Sequence, residues 1–239
     1  MFPQSNTRLR TRLLLSICCF LSLAYGAGAV HANEITIWNF NDSDLLADFG
    51  TGTFTSDFNV ANILFAAGTT NNARLGAPAG QALSLQGGTG TANNGRNITF
   101  VVSTVGFANI IVSFATQGTS TGFNSNQFQY SLDGLSWVNF GSPFAPPSAF
   151  GSTPVVFNLS GIPGLNDNPN AAFRIIFNGS TTSTGNNRLD NVVFEGTSAT
   201  IPEPTTALLL FTGLTGILGF RRKRQVAAQR ARPPGLRRD

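Results

Sequence analysis

Cysteine, histidine and lysine are almost absent from this 239-residue sequence, and the few that occur lie towards its ends. Both cysteines and the one histidine fall within residues 18–31, and the one lysine is Lys223. The long stretch 33–199 therefore has no disulfide, no cysteine nucleophile and no zinc site of the His/Cys type. It also lacks the histidine base of a Ser-His-Asp triad. A domain of about 165 residues without disulfides must be held together by its apolar core, and it is large enough for that.

Positive charge is scarce in the same stretch. The whole chain has a formal net charge of +4, but residues 33–199 hold four arginines against nine acidic residues, which gives −5. The excess positive charge lies in the two terminal segments. A nucleic-acid-binding domain needs a basic face, so we expect no nucleic-acid partner.

The first segment has the layout of a secretory signal peptide. Three arginines within residues 8–12 precede the apolar run Leu13–Leu23, and small residues then lead to Ala29 and Ala32. This order of a positive region, an apolar region and a small-residue cleavage site is typical of an export signal that is removed from the mature protein. We assign residues 1–32 to the signal peptide, with cleavage after Ala32 or, alternatively, after Ala29.

The C-terminal segment has three parts: a Pro-Glu-Pro triplet, an uncharged apolar run and a basic cluster. The triplet is Pro202, Glu203 and Pro204, the run is Ala207–Phe220, and the cluster is Arg221, Arg222, Lys223 and Arg224. An apolar helix followed by basic residues is typical of a stop-transfer anchor held on the cytoplasmic side. As a helix the run spans about 21 Å, against about 30 Å for the hydrocarbon core of a bilayer, which suits a temporary anchor. Residues 225–239 are interpreted as a basic cytoplasmic tail.

Between these ends, residues 33–199 are predicted to form one all-β domain. Short apolar or alternating runs, rich in Phe and β-branched residues, are separated by Gly, Asn, Ser and Thr. The predicted strands are Ile35–Phe40, Ala82–Leu85, Asn97–Val102, Asn109–Phe114, Gln127–Leu132, Ser136–Phe140, Pro154–Leu159, Ala172–Phe177 and Leu189–Glu195. Short helical turns are expected only at Asp44–Asp48 and around Asn59–Ala67. This pattern favours an antiparallel, jelly-roll-like β-sandwich, flanked by an N-terminal signal helix and a C-terminal transmembrane helix.

Aromatic residues are the first candidates for ligand binding. Asp133-Gly134 is the strongest hairpin signal in the chain, and Trp137 follows it. An exposed aromatic ring on a β-sandwich can stack on a sugar ring, so Trp137 is the candidate ligand residue. Trp38 and Tyr130 lie in strand-like runs and are predicted to be core residues.

Carboxylates are the other candidates. Asp42 follows the first predicted strand and Asp190 begins the last one, and the first and last strands of a jelly roll are often neighbours. Several oxygen ligands close together suit Ca²⁺, so these two residues are a candidate structural calcium site. The alternative is that the Asp and Asn side chains cap turns without a metal. Two carboxylates across a cleft could also perform glycoside hydrolysis.

The C-terminal segment Ile201–Arg224 resembles the PEP-CTERM sorting domain of Gram-negative, biofilm-forming bacteria. The triplet, the glycine-bearing apolar run and the basic cluster described above carry the likeness. The resemblance implies Sec export, recognition by an exosortase in the inner membrane, removal of the tail, and delivery to the cell surface or the exopolysaccharide matrix. The central domain resembles, over Gly106–Phe114, Phe128–Gly134 and Arg188–Val192, the β-sandwich ectodomains found ahead of this signal. No enzymatic activity is generally assigned to those ectodomains.

Our leading hypothesis is a non-enzymatic protein of the cell surface or extracellular matrix, held briefly in the inner membrane and then associated with exopolysaccharide. The alternative is a carbohydrate-binding module of jelly-roll type that uses Trp137 and loop asparagines. A carboxylate-based hydrolase is the third hypothesis. No cofactor is expected apart from the structural calcium at Asp42 and Asp190.

Overall fold

A computed structural model describes residues 32–199, which include the whole predicted exported domain. The predicted signal helix, the Pro-Glu-Pro triplet, the transmembrane helix and the basic tail lie outside the described residues. Along the described part of the chain, no helix is long and apolar enough to cross a membrane.

Residues 32–199 contain twelve strands and three short 3₁₀ turns. The strands are β1 (Ala32–Trp38), β2 (Phe49–Gly50), β3 (Thr53–Ser56), β4 (Ile63–Ala67), β5 (Gln81–Gln86), β6 (Arg96–Val101), β7 (Phe107–Gly118), β8 (Ser125–Ser131), β9 (Val138–Asn139), β10 (Val155–Asn158), β11 (Ala172–Asn178) and β12 (Asn186–Ser198). The 3₁₀ turns are Val60–Asn62, Thr89–Thr91 and Pro163–Leu165.

The strands form two sheets in which every pairing is antiparallel. The larger sheet has the order β10-β7-β12-β1-β2, with β5 also paired to β12 and β4 to β5. The smaller sheet has the order β3-β6-β11-β8-β9. From β5 onwards almost every connection crosses from one sheet to the other, so that both sheets face a common core. The prediction of an antiparallel β-sandwich is confirmed.

All nine predicted strands have a counterpart, but several bounds differ. The predicted strand Ser136–Phe140 shrinks to Val138–Asn139, because Ser136 instead folds back onto the carboxylate of Asp133. The last strand is longer than predicted because it finds partners along its whole length.

Three strands, β2, β3 and β4, were not predicted. The helical turn expected around Asn59–Ala67 is correct only for Val60–Asn62, where the Asn59 side chain accepts a hydrogen bond from the Ala61 amide. The rest of that segment is β4, which pairs along its length with β5. At Asp44–Asp48 the prediction of a helical turn is wrong: Asp44 accepts the Leu46 amide in a local side-chain turn instead.

Phenylalanine fills most of the space between the sheets. The fully buried aromatic side chains are Trp38, Phe40, Phe114, Phe123, Phe128, Phe173, Phe177 and Phe194. Trp38 packs edge-on against Phe100 and Phe194, with ring centroids 4.9 and 5.8 Å away. The prediction that Trp38 is a core residue is confirmed. Tyr130 is half-buried and packs against the same core.

The two tryptophans give a matched test of this core. Trp38 is 0% exposed and donates its indole N–H to the Leu45 carbonyl oxygen at 3.2 Å. Trp38→Ala leaves a large cavity and should lower the free energy of unfolding by about 3–5 kcal/mol. Trp137→Ala, on the surface, should lower it by about 1 kcal/mol or less. Urea unfolding monitored by circular dichroism measures both, and equal losses would contradict the described core.

Candidate functional site

The hairpin turn between β8 and β9 is built around one carboxylate. Asp133 accepts the amides of Leu135 and Ser136 at 2.9 and 2.7 Å, and its second oxygen accepts the Ser136 hydroxyl at 2.9 Å. These bonds, the Ser136 amide above all, hold the pKa of Asp133 well below its usual range. Gly134 supplies the positive φ, 74°, that the turn requires. The turn thus fixes the chain just before Trp137.

Trp137, just before β9, lies against a charged side chain of β11. The guanidinium carbon of Arg174 is 4.2 Å from the centroid of the Trp137 ring, a cation–π stack worth about 0.5–1 kcal/mol at an exposed site. Trp137 is half-buried. One face of the indole is therefore occupied by Arg174, and the candidate ligand residue belongs to a larger arrangement of side chains.

That arrangement is a polar row across the outer face of the smaller sheet. Strand register places one outward-facing residue from each of the five strands side by side. In strand order from β3 to β9, the row is Thr55, Thr99, Arg174, Gln129 and Asn139. We call these five residues the polar row. With strands about 4.8 Å apart, it extends over about 19 Å.

The centre of the polar row is held by hydrogen bonds between its own members. Arg174 donates through Nε to Gln129 Oε1, and Gln129 donates through Nε2 to Asn139 Oδ1 at 2.6 Å. The three planar side chains are therefore fixed relative to one another and to the sheet. Hydroxyl and amide groups in such a row can donate and accept hydrogen bonds with the hydroxyl groups of an extended ligand.

The candidate calcium residues lie in different surroundings. Asp190 is fully buried; its Oδ2 accepts the Thr69 amide at 2.7 Å and its Oδ1 accepts the Asn191 amide at 2.8 Å. Asp42 is exposed. Residues 32–199 contain no group of three or more His, Cys, Asp or Glu side chains placed to hold a metal ion. The calcium site at Asp42 and Asp190 stays a prediction, although β1 and β12 are neighbours as expected.

The buried carboxylate instead fastens a loop to the larger sheet. The pairing of β12 with β7 changes register between Asp190 and Val193. Asn191, which lies at this irregularity, has a positive φ of 49°. Asn191 donates through Nδ2 to the carbonyl oxygens of Thr69 and Asn71, at 2.8 and 2.9 Å. Together with the Asp190 contacts, these bonds hold the start of the loop that joins β4 to β5.

An open cleft lies beside the end of β1. It has a volume of about 470 Å³, and Asp42, Asp48 and Arg74 are among the residues that line it. Desolvation, assisted by the charges of Asp42 and Asp44, raises the pKa of Asp48. Asp42 and Asp48 are the carboxylates of this cleft that the hydrolase hypothesis would require.

Trp137 was predicted from the sequence as a ligand residue, but the polar row beside it was not. The alternating pattern in Gln127–Leu132 does predict that Gln129 points away from the core, and Arg174 stands between two buried residues of β11 in the same way. What the sequence does not contain is the register between strands, which alone brings Arg174, Gln129 and Asn139 together.

Residues 200–224 match the family described as the PEP-CTERM protein-sorting motif. The sorting motif predicted from the Pro-Glu-Pro triplet and the segments behind it is thereby confirmed. The motif implies an exported, exosortase-processed cell-surface protein. No curated protein matches the chain.

Several solved β-sandwich domains are similar to the chain at low identity. TmCBM61, solved with β-1,4-galactotriose, has a TM-score of 0.41 at 9% identity, covering 65% of this chain and 92% of that one. The CBM22-1 xylan-binding domain of Paenibacillus barcinonensis Xyn10C has a TM-score of 0.42 at 10% identity, with 72% and 99% covered. The K3 cleaved adhesin domain of Porphyromonas gingivalis Lys-gingipain has a TM-score of 0.38 at 12% identity, with 69% and 99% covered. At these values the similarity carries no inference about ligand or activity.

The buried Asp190 predicts an unusual pH dependence of stability. Burial raises the pKa of Asp190 to about 7, although the backbone amides of Thr69 and Asn191 lower it. In the unfolded chain the pKa of Asp is about 3.9, so between these values the folded domain binds more protons than the unfolded chain. Stability should therefore rise as pH falls from 7.5 to 5, by about 2 kcal/mol.

The domain has no histidine, so few other side chains titrate in that range. Asp190→Asn, the neutral isostere, should be about as stable as the wild type at pH 5 and show little change up to pH 7.5. Urea unfolding across this range measures both proteins. The same slope in wild type and variant would show that Asp190 is not the titrating group.

Proposed function

We propose that this protein is a non-enzymatic component of the extracellular matrix whose jelly-roll-type sandwich holds exopolysaccharide on the outer face of its smaller sheet. In this proposal the chain is exported through Sec and held for a time in the inner membrane. An exosortase then removes the C-terminal segment, and the sandwich is released to the surface or matrix of a Gram-negative cell.

The polar row beside Trp137 carries the proposal for the ligand. Its five side chains offer hydroxyl, amide and guanidinium groups along about 19 Å of a sheet face. No member of the row is a carboxylate. Such a face can contact several successive units of an extended, hydroxyl-rich polymer, while the indole of Trp137 adds an apolar surface at one edge.

The non-enzymatic part of the proposal follows from the side chains available. Catalysis of glycosyl transfer or hydrolysis usually requires an acid and a base, or a nucleophile, near the bound substrate. The carboxylates Asp42 and Asp48 line the cleft beside β1, whereas the polar row lies on the other sheet and contains no carboxylate. Asp57, whose charge reaches Arg174, is hydrogen-bonded to Asn97. We therefore assign the polar row to binding.

The sorting part is tested by changing the triplet. Pro202→Ala, Glu203→Ala and Pro204→Ala together should leave the protein in the inner membrane with its C-terminus untrimmed, because the exosortase motif is lost. Arg237→Ala with Arg238→Ala, outside the matched motif, is the control and should be processed normally. Cell fractionation and intact-mass measurement give the result. An untrimmed wild-type protein in the inner membrane would overturn this part.

The binding part is tested on the hairpin and the polar row. Trp137→Ala and Gln129→Ala should each weaken retention on the producing cell's exopolysaccharide several-fold in affinity gel electrophoresis, because each removes a contact surface. The matched control is Leu135→Ala, in the same hairpin and 83% exposed, which should bind as the wild type does. No new reducing ends should appear in the polysaccharide. Retention that none of the variants alters would contradict the assigned face, and new reducing ends would contradict the non-enzymatic proposal.

A further inference from the structure

We propose that Arg174 binds the carboxylate of a uronic acid unit, so that the polysaccharide held on the polar row is an acidic one. This inference rests on the proposed function and adds the chemical class of the ligand. It follows from where the guanidinium lies, which of its donors are used, and which charges surround it.

Arg174 stands at the middle of the candidate face. It lies on β11, the central strand of the smaller sheet, with Thr99 and Gln129 opposite it on the two neighbouring strands. Its Nε is used by Gln129 and one face of its guanidinium by Trp137. One contact from β8 and one from the hairpin residue before β9 thus fix the plane of the group on the surface of the sheet.

The outer edge of that guanidinium is left without a protein partner. Within residues 32–199, the ion pairs are those of Arg74 with Glu195 and with Glu34, at 3.0 and 3.8 Å. The described part of the chain offers no hydrogen-bond acceptor to the two terminal nitrogens of Arg174. Those nitrogens can donate two parallel hydrogen bonds to one carboxylate, a planar arrangement that the ammonium group of lysine does not offer.

The surroundings favour an anion at this point over a neutral hydroxyl group. Arg174 is half-buried, so its charge is partly removed from water, and this burial lowers the pKa of Arg174. The guanidinium stays protonated all the same, so a carboxylate adds a Coulomb attraction and a second, parallel hydrogen bond that a single neutral hydroxyl group does not give. A bound carboxylate therefore offsets the lost hydration better than a sugar hydroxyl does.

The net negative charge of the domain acts against an acidic polymer. The described carboxylate whose charge reaches Arg174 is Asp57. Asp57 already accepts the Asn97 amide at 2.6 Å and the Asn97 side chain at 2.9 Å. At physiological salt, charges more than about 8 Å away are largely screened. We therefore expect the direct contact with Arg174, more than the net charge of the domain, to determine whether an acidic polymer binds.

Polygalacturonate and its carboxyl-reduced form, in which each carboxylate has become a primary alcohol, test the inference. Binding of the mature exported protein to both polymers is measured by affinity gel electrophoresis at 0.15 M salt. We expect the wild type to bind polygalacturonate more tightly. Arg174→Gln should weaken that binding about tenfold or more while leaving the weaker binding to the reduced polymer unchanged.

Two further variants distinguish the planar geometry of the Arg174 guanidinium from the effect of its positive charge. Arg174→Lys keeps the charge but not the planar fork and should fall between wild type and Arg174→Gln. Arg96→Gln changes the net charge of the domain equally, at an exposed arginine of the same sheet, and should bind as the wild type does. Thermal unfolding confirms that each variant is folded.

The outcomes are distinguishable. Equal binding of both polymers, or equal losses in Arg174→Gln and Arg96→Gln, overturns the acidic ligand and leaves the proposed function standing. No binding to either of these polymers or to the producing cell's own exopolysaccharide overturns the proposed function together with this inference.

Discussion

The last strand, β12, pairs with three others, and the arrangement of the domain depends on those pairings. Along one edge it runs beside β7 for almost its whole length. Along the other edge it pairs first with β5, through Asn186–Leu189, and then with β1, through Val192–Thr197. The change of partner coincides with the irregularity at Asp190 and Asn191. A strand with backbone hydrogen bonds on both edges is the least able to fray. The last strand, β12, therefore holds the centre of the larger sheet together.

The polar side chains of the two sheets have different partners. On the larger sheet, Asp190 and Asn191 form hydrogen bonds with the loop between β4 and β5. The Arg74–Glu195 ion pair joins the same loop to β12. Ionisation of the buried Asp190 costs stability near neutral pH, and the aromatic core must offset that cost without a disulfide. On the smaller sheet, Arg174, Gln129 and Asn139 bond to one another along the surface.

Much of the fold could be predicted from the sequence because the signals are local. Alternation in Gln127–Leu132, the Asp133-Gly134 turn and the scarcity of helix formers are each read within a few residues, and together they indicate an antiparallel sandwich. The strand β4 was missed because its apolar pattern is compatible with a helical turn until β5 pairs with it. The polar row could not be predicted, since Thr99, Arg174 and Gln129 are far apart in sequence and meet only through strand register. The sorting motif was predictable because its whole signal lies in one continuous segment.

In our proposal, the outer face of the smaller sheet is the binding face. Chemical-shift mapping of the isotopically labelled exported protein, titrated with a soluble oligomer of the producing cell's exopolysaccharide, tests it most directly. We expect the largest shifts at the Trp137 indole, the Arg174 guanidinium and the backbone around Gln129. Shifts confined to the cleft lined by Asp42 and Asp48, or to the larger sheet, would contradict it.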